Sequence, residues 1–150
     1  MFRDGSERLL VFRVGDERFA LPLSAVDEVV DAPDVRPLPD AADRVMGIAT
    51  IRGALVTIYD PRPLLNVTGG VNDAALLFAH GGGRIGLAVG GVHDTVLVDR
   101  GDVRPVPGAE VSNKLLIGVV RRERDLIAIL DAGRLLDAAV GADDVQGDRT

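Results

Sequence analysis

A chain of 150 residues that is 47% hydrophobic but only 3% aromatic must build its core from Val, Leu, Ile and Ala. Its net charge of −6 and pI of about 4.8 argue against a nucleic-acid or anionic-membrane surface, which needs clustered Lys and Arg. The absence of cysteine removes disulfides and thiolate metal sites, and 150 residues suit one domain or two small ones sharing a core.

Residues 9–14 and 18–21 read as two strands turned at Gly15-Asp16, with Pro22 ending the second strand's ladder. Ser24 is placed to cap one helical turn before the strand 26–30, and 32–40, with three prolines, reads as a loop. The runs 46–51 and 54–59 flank Arg52-Gly53 as a hairpin, and Asp60-Pro61 reads as the cap and first position of a helical turn. After a glycine-containing connector, 74–79 is apolar enough for a buried strand. It turns at residues 80–83 into 84–89, and 92–98 follows. A second proline-containing loop covers 99–114, a second hairpin joins 115–120 to 125–130, and Asp131 caps a short helix to about Ala139. From Gly141 onward the composition predicts a polar, frayed tail. No apolar run is long enough to span a bilayer and the charged pair Arg3-Asp4 stands close behind Met1, so the expected location is cytoplasmic, without membrane insertion.

The second half repeats the first. Gly47, Ile58, Asp60 and Leu64-Leu65 return as Gly118, Ile129, Asp131 and Leu135-Leu136, at an offset of 71 (118 − 47). Phe19-Ala-Leu21, Val26 and Val30 return as Ile85-Gly-Leu87, Val92 and Val96, at an offset of 66 (92 − 26). The prolyl stretch beginning at Val35 returns at Val103, an offset of 68 (103 − 35). One unit is used twice. About ten short strands with little helical periodicity make the chain all-β. The units, about 16–66 and 83–138 with strands 8–14 and 73–79 completing them, are expected to form two packed five-stranded barrels, with short helical turns and a short C-terminal helix.

No catalytic constellation emerges. Gly81, Gly83 and Gly86 spell a GxGxxG, but β-like residues follow where a phosphate-binding motif needs a helix. His80 and His93 lack a third ligand, and Ser6, Ser24 and Ser112 lack a nucleophile's context, so neither metal nor cofactor is expected. Asp60 and Asp131, at the same place in both units, are better caps than an acid–base pair. Arg52, at the hairpin turn before Gly53, has Arg122 as its counterpart and the Asp27-Glu28 pair as its prospective ionic partner.

Over residues 9–136 the chain resembles the CheW family of chemotaxis coupling proteins. The resemblance rests on 12–23 (FRVGDERFALPL), Val26-Asp-Glu28, 46–53 (MGIATIRG), 56–62 (VTIYDPR), 85–89 (IGLAV) and the Leu-Asp before Leu135-Leu136. It implies two intertwined five-stranded SH3-like barrels without enzymatic activity. It also implies an adaptor between the cytoplasmic tips of chemoreceptors and a chemotaxis histidine kinase whose regulatory domain shares the fold. Carried over by position, Val26, Gly86 and Val92 would line a receptor-binding groove between the barrels. Glu28, Arg52 and Gly53 would belong to a kinase-coupling surface. Two places depart from the family pattern: Gly90 follows Val89 where Val-Asp is usual, and Thr50-Ile51 precedes Arg52 where Asn-Leu is usual. On the residues alone two other readings stay open: a β-barrel module binding a ligand in the inter-barrel cleft, and a CheW-like adaptor for a kinase pathway other than motility.

Overall fold

Strands buried on both faces are written as unbroken apolar runs, and two such runs organise the protein. The computed structural model describes residues 5–92, 95–106 and 114–148. In β1 (Ser6–Val14), Leu9 and Val11 face one side while Leu10, Phe12 and Val14 face the other, and all are buried. In β6 (Ala74–His80) Leu76 and Phe78 alternate with Ala75 and Leu77 in the same way. The remaining strands are β2 (Glu17–Pro22), β3 (Glu28–Asp31), β4 (Val45–Ile51), β5 (Ala54–Tyr59), β7 (Gly83–Val89), β8 (Thr95–Asp99), β9 (Leu116–Arg122) and β10 (Asp125–Leu130). Two helices, α1 (Arg62–Leu65) and α2 (Ala132–Asp148), and two 3-10 turns, Leu23–Ala25 and Arg100–Asp102, complete the described residues.

The strands form two five-stranded sheets, ordered β8-β1-β2-β10-β9 and β3-β6-β7-β5-β4. The sheets do not follow the two sequence units. Strands β1 and β2 pair with the second half's β8 and β10, while β6 and β7 pair with the first half's β3 and β5. The registers carry the repeat's offsets. Leu10 faces Leu21 as Leu76 faces Leu87, and Leu9 faces Val96 as Ala75 faces Val30. The parallel pairs obey the same rule, Phe19 with Ala128 and Ile85 with Thr57. The molecule is therefore a pseudo-two-fold exchange of strands between two copies of one unit. The chain crosses between sheets at β2→β3 and β7→β8.

Three apolar clusters follow from this arrangement. One lies within the first sheet (Leu9, Val11, Ala20, Val98, Val120, Ile127, Ile129) and one within the second (Ala49, Ile51, Val56, Ile58, Ala75, Leu77, Ala88). The largest joins them, with Phe12, Phe19 and Leu21 of the first sheet against Leu76, Phe78 and Leu87 of the second. Leu135 and Ala139 of α2 pack into that junction. Burying apolar surface at about 25 cal/mol per Å², this shared core makes the two sheets one structural unit.

Asp60 Oδ1 accepts the Arg62 N–H (3.0 Å) and Asp131 Oδ1 accepts the Arg134 N–H (3.1 Å), so both aspartates cap helical turns. Ser24 differs from expectation: it lies inside the Leu23–Ala25 turn, whose N-cap is Pro22 without a side-chain bond. The C-terminal helix also differs, since helical backbone resumes beyond a break at Gly141 (φ 62°, ψ −165°) and continues to Asp148. Before the break, Arg44 donates to the carbonyls of Ala139 (2.7 Å) and Val140 (3.3 Å), satisfying helix-end acceptors and tying α2 to the approach of β4. His93, Pro107 and Ser112 lie outside the described residues.

Candidate functional site

The first candidate site is built at the open seam of the β3-β6-β7-β5-β4 sheet. Arg52 and Gly53, at φ 53° and 81°, form the two-residue turn of the β4–β5 hairpin, a backbone that suits its twist. Glycine adopts that conformation freely; an arginine does so at a cost. The turn projects Arg52 from the end of edge strand β4 toward Glu28 at the start of the other edge strand, β3. Arg52 Nε donates to both carboxylate oxygens (3.1 and 3.0 Å) and Nη2 to Oε2 (2.6 Å). From β7, Arg84 Nη1 reaches Glu28 Oε1 (2.9 Å) and Asp27 Oδ2 (3.1 Å). The Glu28 side chain is only 21% exposed while that of Arg52 is 70% exposed. The carboxylate is thus the anchor and the guanidinium the part a partner meets.

Arg52 and then Arg84 stabilise the charged carboxylate and lower the Glu28 pKa from 4.5 to about 2, against a smaller opposing effect of burial. A depressed folded-state pKa means the cluster's contribution to stability, kept small by solvent at the exposed Arg52, is complete above about pH 4.5 and disappears as pH falls through about 2. NMR titration of Glu28 is expected to show that low pKa, and Arg84→Ala to raise it. In acid unfolding, Glu28→Gln should flatten the pH dependence across that window; an unchanged dependence would remove the cluster from the account.

Arg84 was not singled out by the sequence reading. As the first charged residue after a glycine turn it looked like a strand start, and its proximity to Glu28 depends on the β3–β6–β7 order. The pairing of Arg52 with Arg122 also needs correction. Ile51 faces Ala54 and Arg122 faces Asp125 across the two hairpins, so Arg52 corresponds to Glu123, and Arg122 to Ile51. Arg122 nevertheless serves the other sheet's seam, donating from β9 to the Leu97 carbonyl of β8 (2.9 Å). There Arg18, the counterpart of Arg84, pairs with Asp125 at 3.2 Å.

The second candidate site lies at the crossings between sheets. Val26 closes the 3-10 turn after β2, and Val92 follows β7. Both are half-buried against the junction core, one at each crossing. Gly86 does not join them. It is buried in β7, and a Cβ there would meet Ile58 Cδ1 at 2.6 Å and Leu77 Cδ2 at 3.0 Å, so its bare face points into the second sheet's core. Strand alternation separates it from the groove side occupied by Ile85 and Leu87. The departure at Gly90 has a steric reason: a Cβ there would collide with the Val71 carbonyl oxygen, while the Gly90 backbone exchanges hydrogen bonds with Arg13 (2.7 and 2.9 Å).

The comparisons with known proteins agree with this architecture. Residues 8–140 match the CheW-like domain family. The chain is 27% identical over 133 residues to a chemotaxis protein CheW of Rhizobium meliloti (strain 1021), covering 85% of this chain and 86% of that one. It is 32% identical over 142 residues to protein FrzA of Myxococcus xanthus, covering 89% and 87%. The crystal structure of the scaffolding protein TtCheW from Thermoanaerobacter tengcongensis superposes with a TM-score of 0.70 at 20% identity, over 83% of this chain and 88% of that one. The fold is that of two five-stranded SH3-like barrels.

Proposed function

The chain belongs to the CheW-like domain family, and from that premise we propose that it is a non-enzymatic adaptor. It couples the cytoplasmic tips of chemoreceptors to a chemotaxis-type histidine kinase. The observation that carries this reading is Arg52: a non-glycine residue at φ 53°, held bidentately by Glu28, with its side chain 70% exposed. A strained backbone that holds a charge in solvent suits recognition of a partner better than folding. Glu28, Arg52 and Gly53, with Arg84 added, form the kinase-coupling surface, and Val26 and Val92 line the receptor side. No helix among the described residues is long and apolar enough to cross a membrane.

A receptor tip is taken as a helix that docks through a few apolar side chains. Purified protein is expected to co-sediment with a receptor cytoplasmic fragment and with the kinase's regulatory domain. Val26→Asp should weaken receptor binding by about 1–3 kcal/mol while leaving kinase binding and the circular dichroism melt near those of the unaltered protein. Retained receptor binding by folded Val26→Asp and Val92→Asp variants would reject the groove. Failure to bind either partner would reject the adaptor reading.

A further inference from the structure

The repeat places two equivalent clefts on the outer faces of the barrels, each between a prolyl loop and a hairpin. Asp34, Arg36, Pro37, Ile48 and Leu55 line one. Asp102, Arg104, Pro105, Val119 and Leu126, their counterparts at offsets of 68 and 71, line the other. The loops are anchored alike, Arg36 bridging to Ile48 and Arg104 to Val119 through paired backbone hydrogen bonds. Besides aliphatic exchanges such as Ile48 for Val119, the copies differ in charge at two positions: Thr50 and Ile51 of the first hairpin are Arg121 and Arg122 in the second.

That divergence makes the second cleft positive where the first is neutral. In the first cleft, of about 380 Å³, one arginine is matched by one aspartate (Arg36 with Asp34, 3.9 Å). In the second, of about 570 Å³, three arginines face a single aspartate, Asp102. Among the described residues none of the three is ion-paired with a carboxylate. Arg104 donates to the Gly101 carbonyl (2.6 Å) and Arg122 to those of Leu97 and Arg121 (2.9 and 3.1 Å). Pro105, Val119 and the 55%-exposed Leu126 supply apolar surface between them. On a chain with a net charge of −6, so local an excess of guanidinium is a selective attraction for anions.

We propose that the Arg104–Arg121–Arg122 cleft is a docking site for an extended acidic peptide segment of a partner protein, with an aliphatic side chain seated on Leu126 and Val119. Guanidinium forks suit carboxylates bidentately. The cleft's volume of about 570 Å³ and its apolar surface suit a chain segment better than a compact phosphate. This site stands apart from the Glu28–Arg52–Arg84 seam and does not depend on the adaptor reading.

The test is fluorescence anisotropy with a labelled peptide of glutamates around one leucine, the glutamine version as control, and inorganic phosphate as competitor. Saturable, salt-sensitive binding of the glutamate peptide alone is expected. Arg121→Thr should weaken it about ten-fold, and the combined Arg121→Thr, Arg122→Ile variant, which copies the other cleft, should abolish it. Thr50→Arg should raise binding at the first cleft. Equal binding of the glutamine peptide, full competition by phosphate, or undiminished binding by folded Arg121→Thr would each overturn the proposal. So would an oligomer that Arg121→Thr dissolves, since the cleft would then hold a second copy of this chain.

Discussion

Glu28→Ala is expected to abolish kinase activation in a reconstituted receptor–kinase assay while melting close to the unaltered protein. The same outcome is expected for Arg52→Ala. Without its carboxylate anchor, Arg52 keeps its charge but loses its position, and Arg84 loses its shorter contact (2.9 Å) and keeps only Asp27 at 3.1 Å. Because the exposed end of the cluster is solvated, its loss changes stability little. At an interface the same loss is larger, because a charge left unpaired on desolvation is costly. The double variant should be no worse than either single one, the signature of residues acting as a unit. Arg84→Ala should give an intermediate defect, since Arg52 still holds Glu28 bidentately. Variants that unfold would make the cluster structural, and variants that activate the kinase normally would leave Arg52 a solvated turn residue.

Gly47→Ala carries the largest expected loss of stability. Gly47 sits at φ 152°, and a Cβ there would collide with the Arg36 carbonyl. That carbonyl accepts the Ile48 N–H (2.9 Å), while the Arg36 N–H donates to the Ile48 carbonyl (2.9 Å). Accommodating a methyl group pushes the prolyl loop off β4. Two hydrogen bonds at about 1 kcal/mol each and backbone strain of about 1–3 kcal/mol put the cost at roughly 3–5 kcal/mol in urea unfolding. Gly118 is the built-in control. Its Cβ would meet the Arg104 oxygen and Val103 Cγ1, both at 2.7 Å, with no left-handed φ to maintain, so Gly118→Ala should cost less. Equal losses at the two positions would discard the backbone explanation.

How much of this was legible in the sequence depends on how local each cause is. The caps at Asp60 and Asp131 were readable because a cap involves residues two or three apart. The hairpin at Arg52-Gly53 was readable for the same reason. The mismatch of Arg52 with Arg122 arose from matching like with like rather than holding the offset of 71, which points to Glu123. Gly86 was misplaced because the face on which a strand position lies depends on what packs over it. Here Ile58 and Leu77 take the space a side chain would need.

By itself the sequence determined an all-β chain made of one unit used twice, because strand periodicity, turn residues and the 66-to-71 offsets are properties of neighbours along the chain. It also placed Glu28 and Arg52 as prospective partners, since opposite charges in one unit invite pairing. Only the tertiary structure decided that the units exchange strands, so that β5 runs parallel to β7 and β10 to β2. Arg84 of one unit reaches Glu28 of the other only because of that exchange. The physical reason is that each unit leaves apolar faces that either its own strands or its twin's could cover. Local pattern is satisfied both ways, and the junction core of Phe12, Phe78, Leu76 and Leu21 belongs to the exchanged arrangement seen here.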